Sequence, residues 1–275
     1  MPPDLQISHQ GMSTEYHDQW ICASQSVSPR FWSSSAKGTH SVDKLALAEG
    51  LERGLGLDFP PIALARVAQR PNCVDEWKEP VPSACTLWRR AEIQVFFAGP
   101  EVHMGCPIGA MVMGFELPSE KQQELMGLVG DMCAVAYIEE DEVELIPSFG
   151  KGTSGVVYGP LTEFPLNPEL VIVWATPRQA MILDEAVGVT HWTGESATVL
   201  GRPSCAALPA SEQGNTASMS LGCIGMRTFT EVPDTHSLIA IAAEIAEDLE
   251  SALQTTLSAN EHMEAAYKQM KAAVR

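Results

Sequence analysis

Apolar residues recur along this chain in short blocks divided by glycine, proline and polar runs, and their spacing alternates between helix-like and strand-like. Leu45, Leu47, Ala48 and Leu51 share one helical face, so a helix is expected from Ser41 or Val42 to Leu55, ending at Gly54 or Gly56. Pro60-Pro61 then opens a strand over 62–67. Next come a short helix from Cys85 to Ala91, a strand from Ile93 to Phe97, a helix from Pro107 to Met113 and a helix from Ser119 to Cys133, with Ser119 as its N-cap. Beyond residue 150 the pattern gives a strand over 155–160 and a buried strand over 170–175. A helix from Pro177 to Val187 follows, with proline at its first position. Residues 189–200 read as strand and turn, Cys205 as the start of a short helix, and 218–221 as a strand. From Pro233 onward, intervals of three and four predict helix throughout. Leu238, Ile241, Ala242, Ile245, Leu249 and Leu253 form one stripe, and Met263, Ala266, Tyr267, Met270 and Val274 a second.

Strands alternating with helices place the chain in the α/β class. The order of strand, cysteine-bearing helix, strand and Gly-Cys occurs twice, so two pseudo-symmetric strand–helix halves from an internal duplication are expected, followed by a C-terminal helical tail. The boundaries read from the sequence are a polar, serine-rich extension over 1–42, a first half over 43–150, a second half over 151–232 and C-terminal helices over 233–275. The tail packs on the body, or its last helix forms a homodimer contact.

Charge narrows the partners. Seventeen basic residues against 35 acidic ones give a net charge of −18, which repels phosphate backbones and anionic lipid. Neither nucleic acid nor membrane is expected as a partner; a small-molecule substrate or ligand is. Met1-Pro2-Pro3-Asp4 lacks the features of a signal peptide, and no run approaches the ~18 apolar residues of a membrane span. A cytoplasmic location, with thiols kept reduced, is the expectation.

Four of the seven cysteines lie in repeated contexts: Pro82-Ser83-Ala84-Cys85 with Gly105-Cys106-Pro107-Ile108-Gly109, and Pro203-Ser204-Cys205 with Gly222-Cys223-Ile224-Gly225. If the halves pack about a pseudo-twofold axis, Cys85, Cys106, Cys205 and Cys223 converge. Thiolates suit iron–sulfur clusters, zinc and copper(I), although the close knuckle spacings typical of zinc sites and ferredoxins are missing. Cys106 and Cys223 stand where a glycine turn enters a helix, a place that favours the thiolate. The competing expectation is plain burial, since free cysteine is usually a small core residue; Cys22, Cys73 and Cys133 are read that way.

His103 and Arg227, close to the Gly-Cys segments, are candidate catalytic residues, able to bond a cluster sulfur or an anionic substrate. His191 and His236 are candidate ligands or proton carriers, with a surface role as the simpler reading of any of these histidines. Arg89-Arg90 is expected to pair with nearby carboxylates. Gly150-Lys151-Gly152-Thr153-Ser154-Gly155 fits the dinucleotide pattern, but strand and not helix follows it, so it reads as a turn.

Pro60-Pro61-Ile62-Ala63, the two Gly-Cys segments, Val157-Tyr158-Gly159-Pro160-Leu161 and Gly201-Arg202-Pro203-Ser204-Cys205 together resemble the bacterial and archaeal family called domain of unknown function 169 (ArCR), from about Leu45 to about Ala252. The resemblance implies a prokaryotic cytoplasmic protein with a two-half cysteine pattern, and no catalytic residue follows from it. The leading expectation from the residues is a metal-binding, iron–sulfur redox enzyme acting on a small molecule. A metal-free thiol enzyme and a non-catalytic binding or sensing module are the alternatives.

Overall fold

In the computed structural model, which describes residues 43–188 and 199–274, the apolar runs become the strands of one mixed sheet. Asp43 accepts from the Ala46 amide and starts α1 (Lys44–Glu49), which continues as a π-helical turn over Gly50–Gly54. The first strands are β1 (Ile62–Val67), β2 (Glu76–Trp77) and β3 (Phe96–Ala98), with α2 (Ala84–Ala91) between the last two. After β3 come α3 (Pro100–His103), α4 (Pro107–Val112), α5 (Ser119–Ala134) and β4 (Gly155–Pro160). Then follow β5 (Leu170–Ala175), α6 (Pro177–Ala186), β6 (Val199–Leu200), α7 (Ala207–Gly214), β7 (Ala217–Ser220), α8 (Ile224–Thr230), β8 (Ser237–Ala242) and α9 (Ala243–Ala273).

The strand order is β2-β3-β4-β1-β5-β8-β7-β6, with β1 and β5 antiparallel at the centre. Either side of that centre the pairing is the same. Ala63 of β1 faces Gly159 of β4 as Val171 of β5 faces Ile241 of β8. Tyr158 then faces Phe96, as Ala240 faces Ser218. At the edges the parallel pairs Glu76–Phe97 and Val199–Met219 complete the match. Because Ala63 and Val171 are themselves partners, a local twofold between them relates the two ladders register for register. β3 and β7 thus end at the same level; from β7 the chain runs directly into the Gly222-Cys223 turn, whereas after β3 it first forms α3 and then reaches Gly105-Cys106.

Three expectations need correction. Residues 237–242 are strand β8, not helix. Leu238, Ile241 and Ala242 fit a helical stripe, but Leu238–Ala242 are buried between β5 and β7, and a central strand covered on both faces is a continuous apolar run. The stretch 233–275 is therefore not all helical, and β8 belongs to the sheet. β4 bonds β1 and β3, so the first half extends past residue 150 to close on β4. The strand read at 93–97 begins at Phe96, because Ile93 is exposed beyond the end of α2.

The core lies on both faces of β1, β5 and β8, with Trp88, Trp174, Tyr158 and Phe96 among its largest buried side chains. From α9, Ile245, Ala246, Leu249 and Leu253 cover the sheet, α6 runs alongside, and Arg178 pairs with Glu264 at 2.7 Å. Tyr267 and Met270, in the last turns, are exposed. Among the described residues no helix is long and apolar enough to cross a membrane.

Candidate functional site

The four repeated cysteines occupy matched places. Cys85 is in the first turn of α2, and Cys205 sits in the 3-10 turn Ser204–Ala206 that leads into α7; both are buried. Cys106 and Cys223 are the N-caps of α4 and α8. In each case the sulfur accepts an amide N–H, from Gly109 at 3.4 Å and from Met226 at 3.3 Å. Both outer cysteines are half-buried. α2 packs against α8 and α4, and α4 touches the Ser204–Ala206 turn, so elements of both halves meet around the sulfurs.

The thiols act on one another. Burial, then the neighbouring Cys223 and Cys106, push Cys85 well above the ordinary thiol value. Burial, then Cys85, Cys106 and Cys223, do the same to Cys205. Burial raises Cys106 too, against the Gly109 amide bond that lowers it, and Cys223 adds to the rise. Cys85, Cys106 and Cys205 are thus each raised by burial first and then in part by a thiol of the other half. Yet among the described residues no three His, Cys, Asp or Glu side chains form a group able to hold one metal ion. A single zinc, with Zn–S bonds of about 2.3 Å, requires much closer sulfurs.

Glycine and serine seat these turns. A Cβ on Gly105 would stand 2.0 Å from the Val81 carbonyl oxygen, so the Gly-Cys turn lies directly on the Val81-Pro82 backbone. Gly222 has φ +97°, a conformation that favours glycine. The buried Ser204 hydroxyl accepts the Cys223 amide N–H at 2.6 Å, while the Ser83 hydroxyl lies 3.4 Å from the Thr86 hydroxyl.

His103 is fully buried, contrary to a surface role. Its Nδ1 lies 2.7 Å from the Gly99 carbonyl, which only accepts, so Nδ1 carries the proton. Burial lowers its pKa to about 4, the ring is neutral, and Nε2 accepts the Tyr158 hydroxyl at 3.0 Å. Tyr158, also fully buried, is raised by burial and then by Cys85 and Cys205. Sequence reasoning missed Tyr158 as a site residue; the available signal was a phenol in an otherwise apolar, glycine-flanked strand.

Arg227 serves backbone carbonyls. Its guanidinium donates to Leu221, to Pro233 at 2.9 Å and to His236 at 2.8 Å, which ties the second Gly-Cys turn to the start of β8. His236 is buried as well, and its Nε2 lies 3.0 Å from Asp58. Cys73 is exposed and Cys133 half-buried, so neither is the core residue expected. His191 and Cys22 lie outside the described residues. Arg89 pairs with Glu92 as expected, whereas Arg90 stacks on Trp77 at 4.6 Å. That stack borders a groove of about 400 Å³ along α2, which none of the four cysteines lines.

Residues 50–252 match the profile of the DUF169 family, described as uncharacterised ArCR, and the chain belongs to that family. No curated protein and no solved structure matches it.

Proposed function

We propose that this protein is an iron–sulfur redox protein in which Cys85, Cys106, Cys205 and Cys223 hold one cluster between the two halves. The observation that carries this reading is the placement of the four cysteines on matched turns of the two halves, Cys106 and Cys223 capping α4 and α8, with α2 packed against both of those helices. A cluster takes one terminal thiolate per iron and spreads its ligands more widely than one ion does. Ligation would also remove the conflict that four crowded thiols create, because bound metal replaces their protons. The amides of Gly109 and Met226, already aimed at two of the sulfurs, are donors of the kind that tune cluster potentials.

Metal-free thiol catalysis is less well supported. Nucleophilic cysteines have lowered pKa values, whereas Cys85, Cys106 and Cys205 are all raised. When bound, the cluster would exchange one electron at a time with a carrier or a small-molecule substrate.

Anaerobic purification followed by absorbance spectroscopy and iron and sulfide analysis tests the proposal. Broad absorbance near ~400 nm with equal iron and sulfide supports it. Folded, colourless protein that takes up no iron and sulfide on reconstitution overturns it, and one tightly bound zinc or copper reassigns the site.

A further inference from the structure

Arg66 and Arg89 each stack on an aromatic ring and also pair with a carboxylate. Arg66 lies over Phe149 and bonds Glu169; Arg89 lies over Phe59 and pairs with Glu92. Arg90 has the ring without the acid. Its guanidinium lies 4.6 Å over Trp77, and among the described residues it makes no ion pair and no hydrogen bond. The ring beneath it is fixed, since the Trp77 indole N–H donates to the Glu79 carbonyl at 2.9 Å and Phe96 packs on the indole with centroids 5.8 Å apart. A guanidinium seated on a ring presents a pre-organised planar fork, which lowers the entropy lost when a planar anion binds.

Arg90 lines the groove along α2, whose volume of about 400 Å³ suits a small molecule. Val81, Pro82 and Leu87 make much of the lining apolar, and Ile93, 69% exposed, belongs to it as well. Of the charged side chains there, Arg89 is neutralised by Glu92, which leaves Arg90 and the exposed Glu79. One free cation with one carboxylate in the same groove suits a ligand of single negative charge, because a second charge on the ligand would be repelled by Glu79. The net charge of −18 acts in the same direction, so an anion is held only where a local cation receives it.

We propose that this groove binds an apolar monocarboxylate, with its carboxylate on the Arg90 fork and its apolar body against Val81, Pro82 and Ile93. Guanidinium and carboxylate match through two parallel N–H···O bonds, and the apolar lining takes the rest of the molecule out of water. The site stands apart from the four cysteines, none of which lines the groove, and it requires no metal.

Titration of the full-length chain with phenylacetate and with hexanoate tests the proposal, followed by calorimetry and by the Trp77 indole N–H resonance, identified as the peak lost in Trp77→Phe. Wild type binds at least one of the two acids, and the Trp77 peak moves as it does so. Arg90→Gln, at an exposed position, weakens that binding about tenfold, the loss expected for a charged hydrogen-bond partner. Phenylacetamide, of the same shape and uncharged, binds wild type no better than phenylacetate binds the variant. Ile93→Asp, also exposed, weakens binding by setting a like charge against the acid, and it replaces Arg90→Gln should that variant melt below the wild type. Four results each overturn the proposal: no binding of either acid by wild type, equal binding by a folded variant, equal binding of the amide, or binding that leaves the Trp77 peak unmoved.

Discussion

The two halves of the sheet share strand order and register, yet they fix their cysteine turns by different means. In the first half the turn before Cys106 is pressed onto backbone, with the site of a Gly105 Cβ 2.0 Å from Val81 O, and His103 and Tyr158 are buried and hydrogen-bonded to each other. In the second half a Cβ on Gly222 would meet the flexible end of Met226 at 2.4 Å, and the turn is held by Arg227 and by Ser204. One scaffold thus presents matched thiols while the layer behind them differs. The common part sets the four cysteines on matched turns, and the divergent part gives each pair its own rigidity and electrostatics.

The most damaging changes remove the buried thiols. Cys85→Ser and Cys205→Ser each reduce iron per chain to background, whereas Cys106→Ser and Cys223→Ser, at the half-buried positions, retain a labile fraction measurable before exposure to air. Equal loss at all four would erase the distinction between inner and outer ligands.

Backbone changes come next. Gly105→Ala forces a carbonyl to move and should destabilise by more than ~4 kcal/mol, or prevent folding. Gly222→Ala carries left-handed strain of about 1–3 kcal/mol against a side chain that can yield. Urea denaturation of the two variants measures the difference directly, and the reverse ranking would contradict the account of the two turns.

Arg227→Met leaves three carbonyls without their donor and costs about 1–3 kcal/mol. Its effect is local, so hydrogen exchange should quicken at 222–223 and β8 while the Cys106 turn stays unchanged.

The smallest effects are in pH dependence, and they oppose one another. His103 falls from 6.5 to about 4 on folding, so the unfolded chain binds more protons between those values and stability rises with pH there. Asp184, in α6 of the second half, rises from 3.8 to about 6 through burial, so the folded chain binds more protons and stability falls over that window. Asp184→Asn should therefore steepen the gain in stability from pH 4 to 6, and His103→Gln should turn it into a loss. Melts across that range check both signs.

Local pattern carried much of this architecture. β1, β5, α5 and the caps at Cys106 and Cys223 lie within a residue or so of where periodicity and glycine placed them. β8 misled because Leu238, Ile241 and Ala242 satisfy helical spacing, and only burial on both faces decides for a strand. The place of β4 depends on ladders to β1 and β3, which no short window contains. His103 looked like a surface residue for the same reason, since its partner Tyr158 is 55 positions away. The candidate cysteines were legible through their repeated neighbours, whereas the layer behind them arises from long-range packing.

Sulfurs from both halves are proposed to hold one cluster. Crystals of the anaerobically reconstituted protein, measured at the iron absorption edge, test it most directly. The account predicts a single anomalous peak group bounded by Cys85, Cys106, Cys205 and Cys223; iron bound elsewhere, or by cysteines of one half alone, would contradict it.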